Sequence, residues 1–427
     1  MKNLKKFMGL MLAVSMSFSM VACGSKEAVS TVESTESVDA AEDNIIEEAE
    51  EAIAESVLEE VVETSEATED EGEQEEGEEV QSLDDGALNA HRVVEEMTFG
   101  WNLGNTLDAF VGNAGQLRND GLKTETCWGN PKTSQEIIDM VKSTGINVIR
   151  IPVTWYTHMD PDTLTIDPEW MDRVEEVVNY ALDDNTYVIL NMHHDTGTDG
   201  WLKASDTDLD RKKEIYQSIW QQVSENFKDY SDHLLFESFN EMLNDANEWT
   251  KPDIRAIQIV NEFNQLFVDT VRSTEANNSD RILVLNTYCA GTQQIMLGSF
   301  NMPEDTREDG LIVEVHCYNP YYFTAPESPE TKTWNESDVD AAFSAAHLKF
   351  VILNVPVIVG EFGAVPKNNE EEVESWAKYF IESAAKNGMK CIWWDNGIDN
   401  EYGIFDRKAL KISDESLLNV MLKAAGL

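Results

Sequence analysis

The feature that most constrains the fold of this 427-residue chain is the alternation of short apolar runs with longer amphipathic stretches after residue 85. Most runs are rich in Val, Ile and Leu without a strict apolar–polar alternation, which is typical of strands covered on both faces. The eight runs are Phe99–Leu107, Asn147–Trp155, Tyr187–His194, Leu234–Glu241, Arg281–Tyr288, Leu311–Tyr318, Pro356–Gly363 and Met389–Asn396.

The stretches between the runs have helical periodicity. In the first of them, Met171, Val174, Val178 and Ala181 share one face. Helices are predicted at Pro168–Leu182, 208–229, 253–273, 338–353, 370–386 and Ser416–Ala425. Alternating strands and helices favour parallel pairing with right-handed crossovers, and eight units predict one α/β domain, a (β/α)8 TIM barrel over residues 85–427. An open doubly wound sheet is the alternative, but the sequence lacks its Gly-rich phosphate turn.

Residues 1–23 have the pattern of a lipoprotein-type signal peptide. A basic start precedes the apolar run Phe7–Ala22, which is short for a membrane span. Small residues then lead to Cys23, whose thiol would be acylated after cleavage. We therefore expect a lipid anchor at Cys23 on the surface of a bacterium as the only membrane attachment, with plain secretion as the alternative.

Residues 24–84 are rich in Asp and Glu, with Lys26 as the only basic residue and no aromatic residue. Such a segment buries too little apolar surface to offset its chain entropy, so it is predicted to be a disordered acidic linker. The formal net charge of the chain is −50 at pH 7. This charge argues against nucleic acid or an anionic membrane surface as a partner, whereas a neutral polysaccharide needs no basic face.

The cysteines after the linker have no CxxC spacing. They predict neither a zinc site nor a disulfide framework. Three of these cysteines lie in or beside apolar runs and are predicted to be buried free thiols: Cys289, Cys317 and Cys391. For Cys127, which lies in a loop, the sequence does not predict whether the thiol is buried.

Two glutamates stand at the ends of predicted strands, Glu241 as the last residue of the fourth run and Glu361 near the end of the seventh. The carboxyl ends of the strands are where a parallel barrel places its chemistry. Further polar or aromatic side chains at run ends are Arg150, His193, His194, Asn240, His316, Tyr318 and Trp394. An unpaired charge beside apolar strands costs several kcal/mol, so this polarity predicts an active site rather than strand caps.

Two carboxylates from different strands are the minimum equipment for breaking a glycosidic bond. Arg150 beside one of them would keep it ionised, and Tyr318 could donate a hydrogen bond to the same group. Asn240 can bind a sugar 2-hydroxyl, and Trp394 offers a flat face for a pyranose ring. The residues alone do not decide which glutamate is the acid.

Several motifs together resemble glycoside hydrolase family 5, and the first two resemble its subfamily 4. The motifs are Phe99–Asp108, Glu125–Pro131, Arg150-Ile151-Pro152-Val153, His193-His194, Phe239-Asn240-Glu241, His316-Cys317-Tyr318 and Gly360-Glu361-Phe362-Gly363. The resemblance covers residues 95–410 and implies a retaining (β/α)8-barrel enzyme, with Glu241 as acid/base and Glu361 as nucleophile. It assigns supporting roles around the bound sugar to Arg150, His193, Asn240, His316, Tyr318 and Trp394.

Other polar and aromatic residues support weaker hypotheses. Asn102 and His194 are candidates for contacts with sugar hydroxyls, and Glu314 is a candidate buried partner of Arg150. Trp128 and Trp201 are either platforms at outer subsites or ordinary loop packing. The tryptophans on or beside regular elements are predicted to lie in the core or on helix surfaces: Trp155, Trp170, Trp220 and Trp376.

The histidine motif does not predict a metal site. Adjacent residues of a strand face opposite ways, so His193 and His194 are not expected to share a ligand set with His316. No cofactor is implied.

These observations predict a monomeric, extracellular, retaining endo-β-1,4-glucanase that acts on β-glucans. A xyloglucan-specific or mixed-linkage β-glucanase, and then a mannanase, are the alternatives within the class. The alternative of another class is a surface carbohydrate-binding lipoprotein with an inactive barrel. Such a protein would be expected to lose a carboxylate, and this chain keeps both.

Overall fold

The computed structural model describes residues 88–427, which fold around a closed barrel of eight parallel strands. The strands are β1 (Gly100–Leu103), β2 (Val148–Ile151), β3 (Tyr187–Leu190), β4 (Leu234–Glu237), β5 (Leu283–Asn286), β6 (Leu311–His316), β7 (Val357–Phe362) and β8 (Met389–Asp395). Each strand pairs with the next in chain order, and β8 closes the barrel on β1. The predicted fold class is confirmed, and each strand lies within one predicted run.

The predicted signal peptide and acidic linker lie outside the described residues and stay predictions. Between residues 88 and 427, no helix is both long and apolar enough to cross a bilayer.

The helices surround the barrel and confirm the predicted alternation. They are α1 (Ala90–Glu96), α2 (Gln135–Lys142), α3 (Pro168–Ala181), α4 (Leu209–Asn226), α5 (Ile254–Arg272), α6 (Gln294–Gly298), α7 (Tyr321–Thr324), α8 (Glu336–Lys349), α9 (Glu370–Lys386) and α10 (Glu415–Ala424). The helix predicted at 338–353 ends at Lys349, and a separate 3-10 turn, Val351–Leu353, follows it. The sequence periodicity does not reveal α1 and α2, because helices of 7 and 8 residues present barely two turns.

Alternate residues of each strand face two different cores. In β2, Ile149 and Ile151 pack towards the helices, whereas Val148 belongs to the apolar interior of the barrel. Val93 of α1 and Met97, which directly follows α1, pack against that interior layer and close the amino-terminal end of the barrel. The four tryptophans predicted to lie in the core or on helix surfaces are fully buried: Trp155, Trp170, Trp220 and Trp376.

The cysteine prediction is confirmed for the three residues in or beside apolar runs. Cys289, Cys317 and Cys391 are buried and free, and Cys127 is exposed and free. Burial raises the pKa of the Cys317 thiol to about 12. These buried thiols are therefore packing groups and not nucleophiles.

Candidate active site

Inside the barrel, an apolar layer of side chains is followed, two residues closer to the carboxyl ends of the strands, by a layer that is mostly polar. The apolar layer consists of Val148, Ile189, Leu235, Val284, Ile312, Ile358 and Ile392. Two residues after each of these stand Arg150, Asn191, Glu237, Asn286, Glu314, Gly360 and Trp394. Side chains of a strand alternate with a period of two, so this second layer faces the same interior at the carboxyl ends of the strands. This is the end at which barrel enzymes carry their active sites.

Arg150 is the centre of the polar layer. Its Nε and Nη2 donate to Oε2 and Oε1 of Glu237 at 2.6 and 2.7 Å, and its Nη1 donates to Oε1 of Glu361 at 2.7 Å. Glu314 lies 3.4 Å from Nη2, which confirms the prediction that it is a buried partner of Arg150. Burial by itself would lower the pKa of Arg150, but the three carboxylates raise it well above its ordinary value. The guanidinium is therefore a fixed positive charge.

Glu361 lies in β7 with its carboxylate almost completely buried. Besides Arg150, the hydroxyl of Tyr318 donates to its Oε2 at 3.1 Å. Burial raises the pKa of Glu361, and the positive charges of His316 and Arg150 oppose that rise. Two hydrogen-bond donors stabilise the ionised form, which is the form that can attack an electrophilic carbon.

Glu241 follows β4 and is linked to the rest of the site through His316. The Nδ1 of His316 lies 2.9 Å from Oε1 of Glu241 and 3.6 Å from Oε2 of Glu361, and its Nε2 lies 3.0 Å from Glu314. Burial alone would lower the pKa of His316, but the surrounding charges of Glu361, Glu241 and Glu314 outweigh it and raise the pKa to about 10. A protonated imidazole thus lies between the two glutamates at the strand ends.

The distance between these two carboxylates distinguishes the two ways of hydrolysing a glycoside. One oxygen of Glu241 and one of Glu361 lie within 4.8 Å of each other. Retaining enzymes hold their carboxyl groups about 5–5.5 Å apart, whereas inverting enzymes need roughly 6.5–9.5 Å to admit a water molecule. The observed separation fits a retaining pair.

Three further predicted residues surround the pair. The ring of His193 lies parallel to that of Trp394, at 3° with centroids 5.4 Å apart. Burial, followed by the charges of His194 and Arg150, lowers the pKa of His193 well below its ordinary value, so the imidazole is neutral. Oδ1 of Asn240 accepts from Nη2 of Arg150 at 3.0 Å, which orients the amide. These residues offer an aromatic face and neutral polar groups, as a sugar ring requires.

Asn102 supports the site from beneath rather than contacting a sugar. It is fully buried, and its Nδ2 donates to the carbonyl oxygens of Gly360 and Trp393 at 2.9 and 3.1 Å. Its Oδ1 accepts from Nη1 of Arg150 at 2.9 Å. Because these contacts use its amide, the expected contact with a sugar hydroxyl is corrected to a role in positioning Arg150.

His193 and His194 lie close together, contrary to the expectation from strand alternation. That rule does not apply because β3 ends before them, and the two ring centroids are 4.6 Å apart. Nε2 of His194 lies 3.4 Å from Oδ2 of Asp108, and the three residues hold ligand atoms within 4.8 Å of one another. The Asp108 oxygens, however, already accept from the amides of Asn105 and Thr106 at 3.1 and 2.7 Å. Asp108 thus has a structural role in the loop after β1.

Glu237 belongs to the site through its contacts with Arg150, although it is not among the residues predicted from the sequence. It is fully buried, and besides Arg150 its Oε1 accepts from Nδ2 of Asn191 and of Asn286, both at 3.1 Å. Burial raises its pKa to about 7, against the opposing charge of Arg150. The signal is present in the sequence as an acidic residue inside an apolar run, two positions after the interior residue Leu235.

The two loop tryptophans are packed against neighbouring aromatic rings. Trp201 stacks on Tyr156 with centroids 4.7 Å apart, and its Nε1 donates to Asp195 at 2.8 Å. Trp128 lies 5.3 Å from the ring of His194, and its Nε1 donates to a backbone carbonyl at 3.1 Å. Trp128 therefore borders the histidine side of the site, and a platform role for either ring stays a prediction.

Comparison with known proteins agrees with this geometry. Residues 113–400 match the family described as Cellulase (glycosyl hydrolase family 5). The chain belongs to glycosyl hydrolase family 5. Endoglucanase A of Ruminococcus albus is 39% identical over 354 residues, which cover 79% of this chain and 93% of that protein.

Solved structures of the family are similar over the barrel. A GH5-4 broad specificity endoglucanase from Ruminococcus champanellensis with bound cellotriose is 37% identical, has a TM-score of 0.74 and is matched over 78% of this chain and 98% of its own. A xyloglucan-specific endo-β-1,4-glucanase of family 5 from a metagenomic library, in complex with cellotriose, is 34% identical with a TM-score of 0.73, over 78% and 98% of the two chains. The predicted family and its subfamily 4 likeness are thus confirmed.

Proposed function

We propose that this family 5 enzyme is a retaining endo-β-1,4-glucanase in which Glu361 is the nucleophile and Glu241 the acid/base. The separation of their carboxylate oxygens, within 4.8 Å, carries the proposal. The surroundings of the two groups also differ in a way that the sequence alone does not reveal. Of the two glutamates, only Glu361 is contacted by Arg150 and Tyr318, whereas the Glu241 side chain is 22% exposed and accessible to a leaving group or water.

The reaction follows in two balanced steps. A carboxylate oxygen of Glu361 bonds to the anomeric carbon while the bond to the leaving oxygen breaks, and protonated Glu241 transfers its proton to that oxygen. Glu241 then takes a proton from water, whose oxygen attacks the anomeric carbon and releases Glu361 as a carboxylate. The donors Arg150 and Tyr318 stabilise the charge that returns to Glu361 in this second step.

The proposed substrate is a β-1,4-linked glucan. The site presents neutral polar groups and the partly exposed ring of Trp394, and the chain is strongly acidic, which suits an uncharged polysaccharide. The solved relatives hold cellotriose, and one of them is described as xyloglucan-specific. A xyloglucanase or a mixed-linkage β-glucanase is therefore the second candidate.

Hydrolysis assays test this proposal directly. Carboxymethylcellulose, lichenan, xyloglucan and mannan should be compared, with the anomer of the first product followed by NMR. We expect rapid hydrolysis of the β-glucans with release of the β-anomer, and loss of turnover in Glu361→Gln with retained binding of cello-oligosaccharides. Activity on mannan alone, or an α-anomeric first product, would refute the assignment. If the wild type binds these polysaccharides but hydrolyses none of them, the protein is instead the carbohydrate-binding lipoprotein with an inactive barrel.

We also propose that the enzyme is held at the bacterial surface by a lipid on Cys23. The support is the apolar run followed by small residues and that cysteine. Cell fractionation of the wild type and Cys23→Ser tests it: the wild type should stay with membranes and the variant should be released. Equal release of both proteins would show plain secretion.

A further inference from the structure

Two exposed tyrosines follow the active site in the chain and take no part in the mechanism above. Tyr321 and Tyr322 begin α7 and are 54% and 68% exposed, whereas the following Phe323 and Thr324 are fully buried. The two rings meet edge to face, with centroids 6.0 Å apart and planes at 73°. Contiguous exposed aromatic surface on a globular domain marks a binding site more often than isolated apolar residues do.

The tyrosines stand at the carboxyl end of β6, close to the catalytic pair. Tyr318, whose hydroxyl contacts the nucleophile Glu361, is three residues before Tyr321, so their Cα atoms are at most about 11 Å apart. His316, the last residue of the same strand, holds the acid/base Glu241 at 2.9 Å from its Nδ1, so the segment that carries the tyrosines leaves the barrel beside that carboxylate. The acid/base protonates the leaving oxygen, so this flank is the one that the leaving part of a polysaccharide occupies.

The backbone that carries the two rings is held firmly. The buried Lys367 donates from Nζ to the carbonyl oxygens of Tyr322 and Phe323, both at 2.8 Å. Thr324 Oγ1 donates to the carbonyl of Tyr318 at 2.6 Å, and the amide of Val365 donates to the carbonyl of Thr324 at 2.9 Å. The rings are therefore presented on an ordered support, and little backbone entropy is lost when a ligand binds.

We propose that Tyr321 and Tyr322 form a binding platform for the β-1,4-linked glucosyl units on the leaving-group side of the scissile bond. The proposal rests on the glucanase function proposed above and adds the residues that bind beyond that bond. Pyranose rings present apolar CH faces that stack on aromatic rings, and the tyrosine hydroxyls can hydrogen-bond to sugar hydroxyls. A neutral chain of sugars needs no countercharge, which agrees with the acidic surroundings.

Two substrates that differ only beyond the scissile bond test this platform. Cellopentaose places sugar units on the leaving-group side, whereas an aryl β-cellobioside places only a phenol there. In a Tyr321→Ala/Tyr322→Ala variant we expect the ratio of kcat/KM on cellopentaose to kcat/KM on the aryl cellobioside to fall about ten-fold, because the two ring contacts beyond the scissile bond are lost. The Tyr321→Phe/Tyr322→Phe variant, which keeps both rings, should retain most of the ratio.

Leu353→Ala is the matched control, because Leu353 is 67% exposed and lies just before β7, at the opposite end of the barrel. An unchanged ratio in the double alanine variant, or a fall equal to that of Leu353→Ala, would overturn the platform. An equal loss on both substrates would also overturn it, by showing a structural role. If the wild type cleaves neither β-glucans nor aryl cellobiosides, the proposed function itself fails, and the platform fails with it.

Discussion

Gly360→Ala should disable the enzyme although it alters neither of the proposed catalytic carboxylates, Glu241 and Glu361. A Cβ on Gly360 would lie 2.0 Å from Oε1 and 2.1 Å from Cδ of Glu314. Nonbonded heavy atoms do not approach so closely, so the Glu314 carboxylate must withdraw by about 1 Å or more. It is fully buried and holds His316 at 3.0 Å, so it cannot withdraw without breaking that contact.

The expected magnitude follows from these contacts. Overpacking a close-packed core costs about 1–3 kcal/mol, and a lost hydrogen bond to a charged group costs about 1.5–3 kcal/mol. Together these costs lower the expected free energy of unfolding by about 2.5–6 kcal/mol. A displacement of His316 by about 1 Å, next to Glu241, should lower kcat roughly 100-fold.

Urea denaturation and kcat on cellopentaose measure the two effects. Gly298→Ala is the control, because an added Cβ there meets no atom within 4 Å. In Glu314→Ala/Gly360→Ala the obstructing carboxylate is gone, so the double variant should be no less stable than Glu314→Ala alone. Wild-type stability and kcat in Gly360→Ala, or fully additive losses in the double variant, would refute the steric reasoning.

Further predictions concern the charged centre of the site. Arg150→Lys should lower kcat at least 100-fold, measured on cellopentaose, since an ammonium group cannot hold Glu237 in a bidentate pair and reach Glu361 as well. Tyr318→Phe should lower kcat about 10-fold or more while CD spectra stay unchanged, because only one donor to Glu361 is lost. The pKa of His316 is raised from 6.5 to about 10, so its stabilising contribution is complete below pH 6.5 and is lost as the pH rises towards 10. Urea titrations across that range should therefore show a decline in stability that His316→Gln flattens, and parallel curves would contradict it.

Much of the architecture follows from the sequence because it depends on local pattern. Eight apolar runs alternating with amphipathic stretches are sufficient to predict a parallel barrel, and residues at the ends of its strands must gather at one rim. The pair Glu241 and Glu361 is predictable for that reason. The short helix α1 is not predicted from the sequence because it has too few turns to show periodicity. Its side chains nevertheless pack against the interior layer and close one end of the barrel.

The tertiary structure alone decides which side chains of the polar layer form hydrogen bonds and ion pairs with one another. Glu237 and Glu314 come from strands that are distant in sequence, and closure of the barrel brings both to Arg150. The same closure gives Glu361 two donors and leaves Glu241 accessible, an asymmetry that supports the proposed roles of nucleophile and acid/base. A sequence states which charges are present, but their pKa values depend on burial and on distances of a few ångströms, which exist only once the strands have closed.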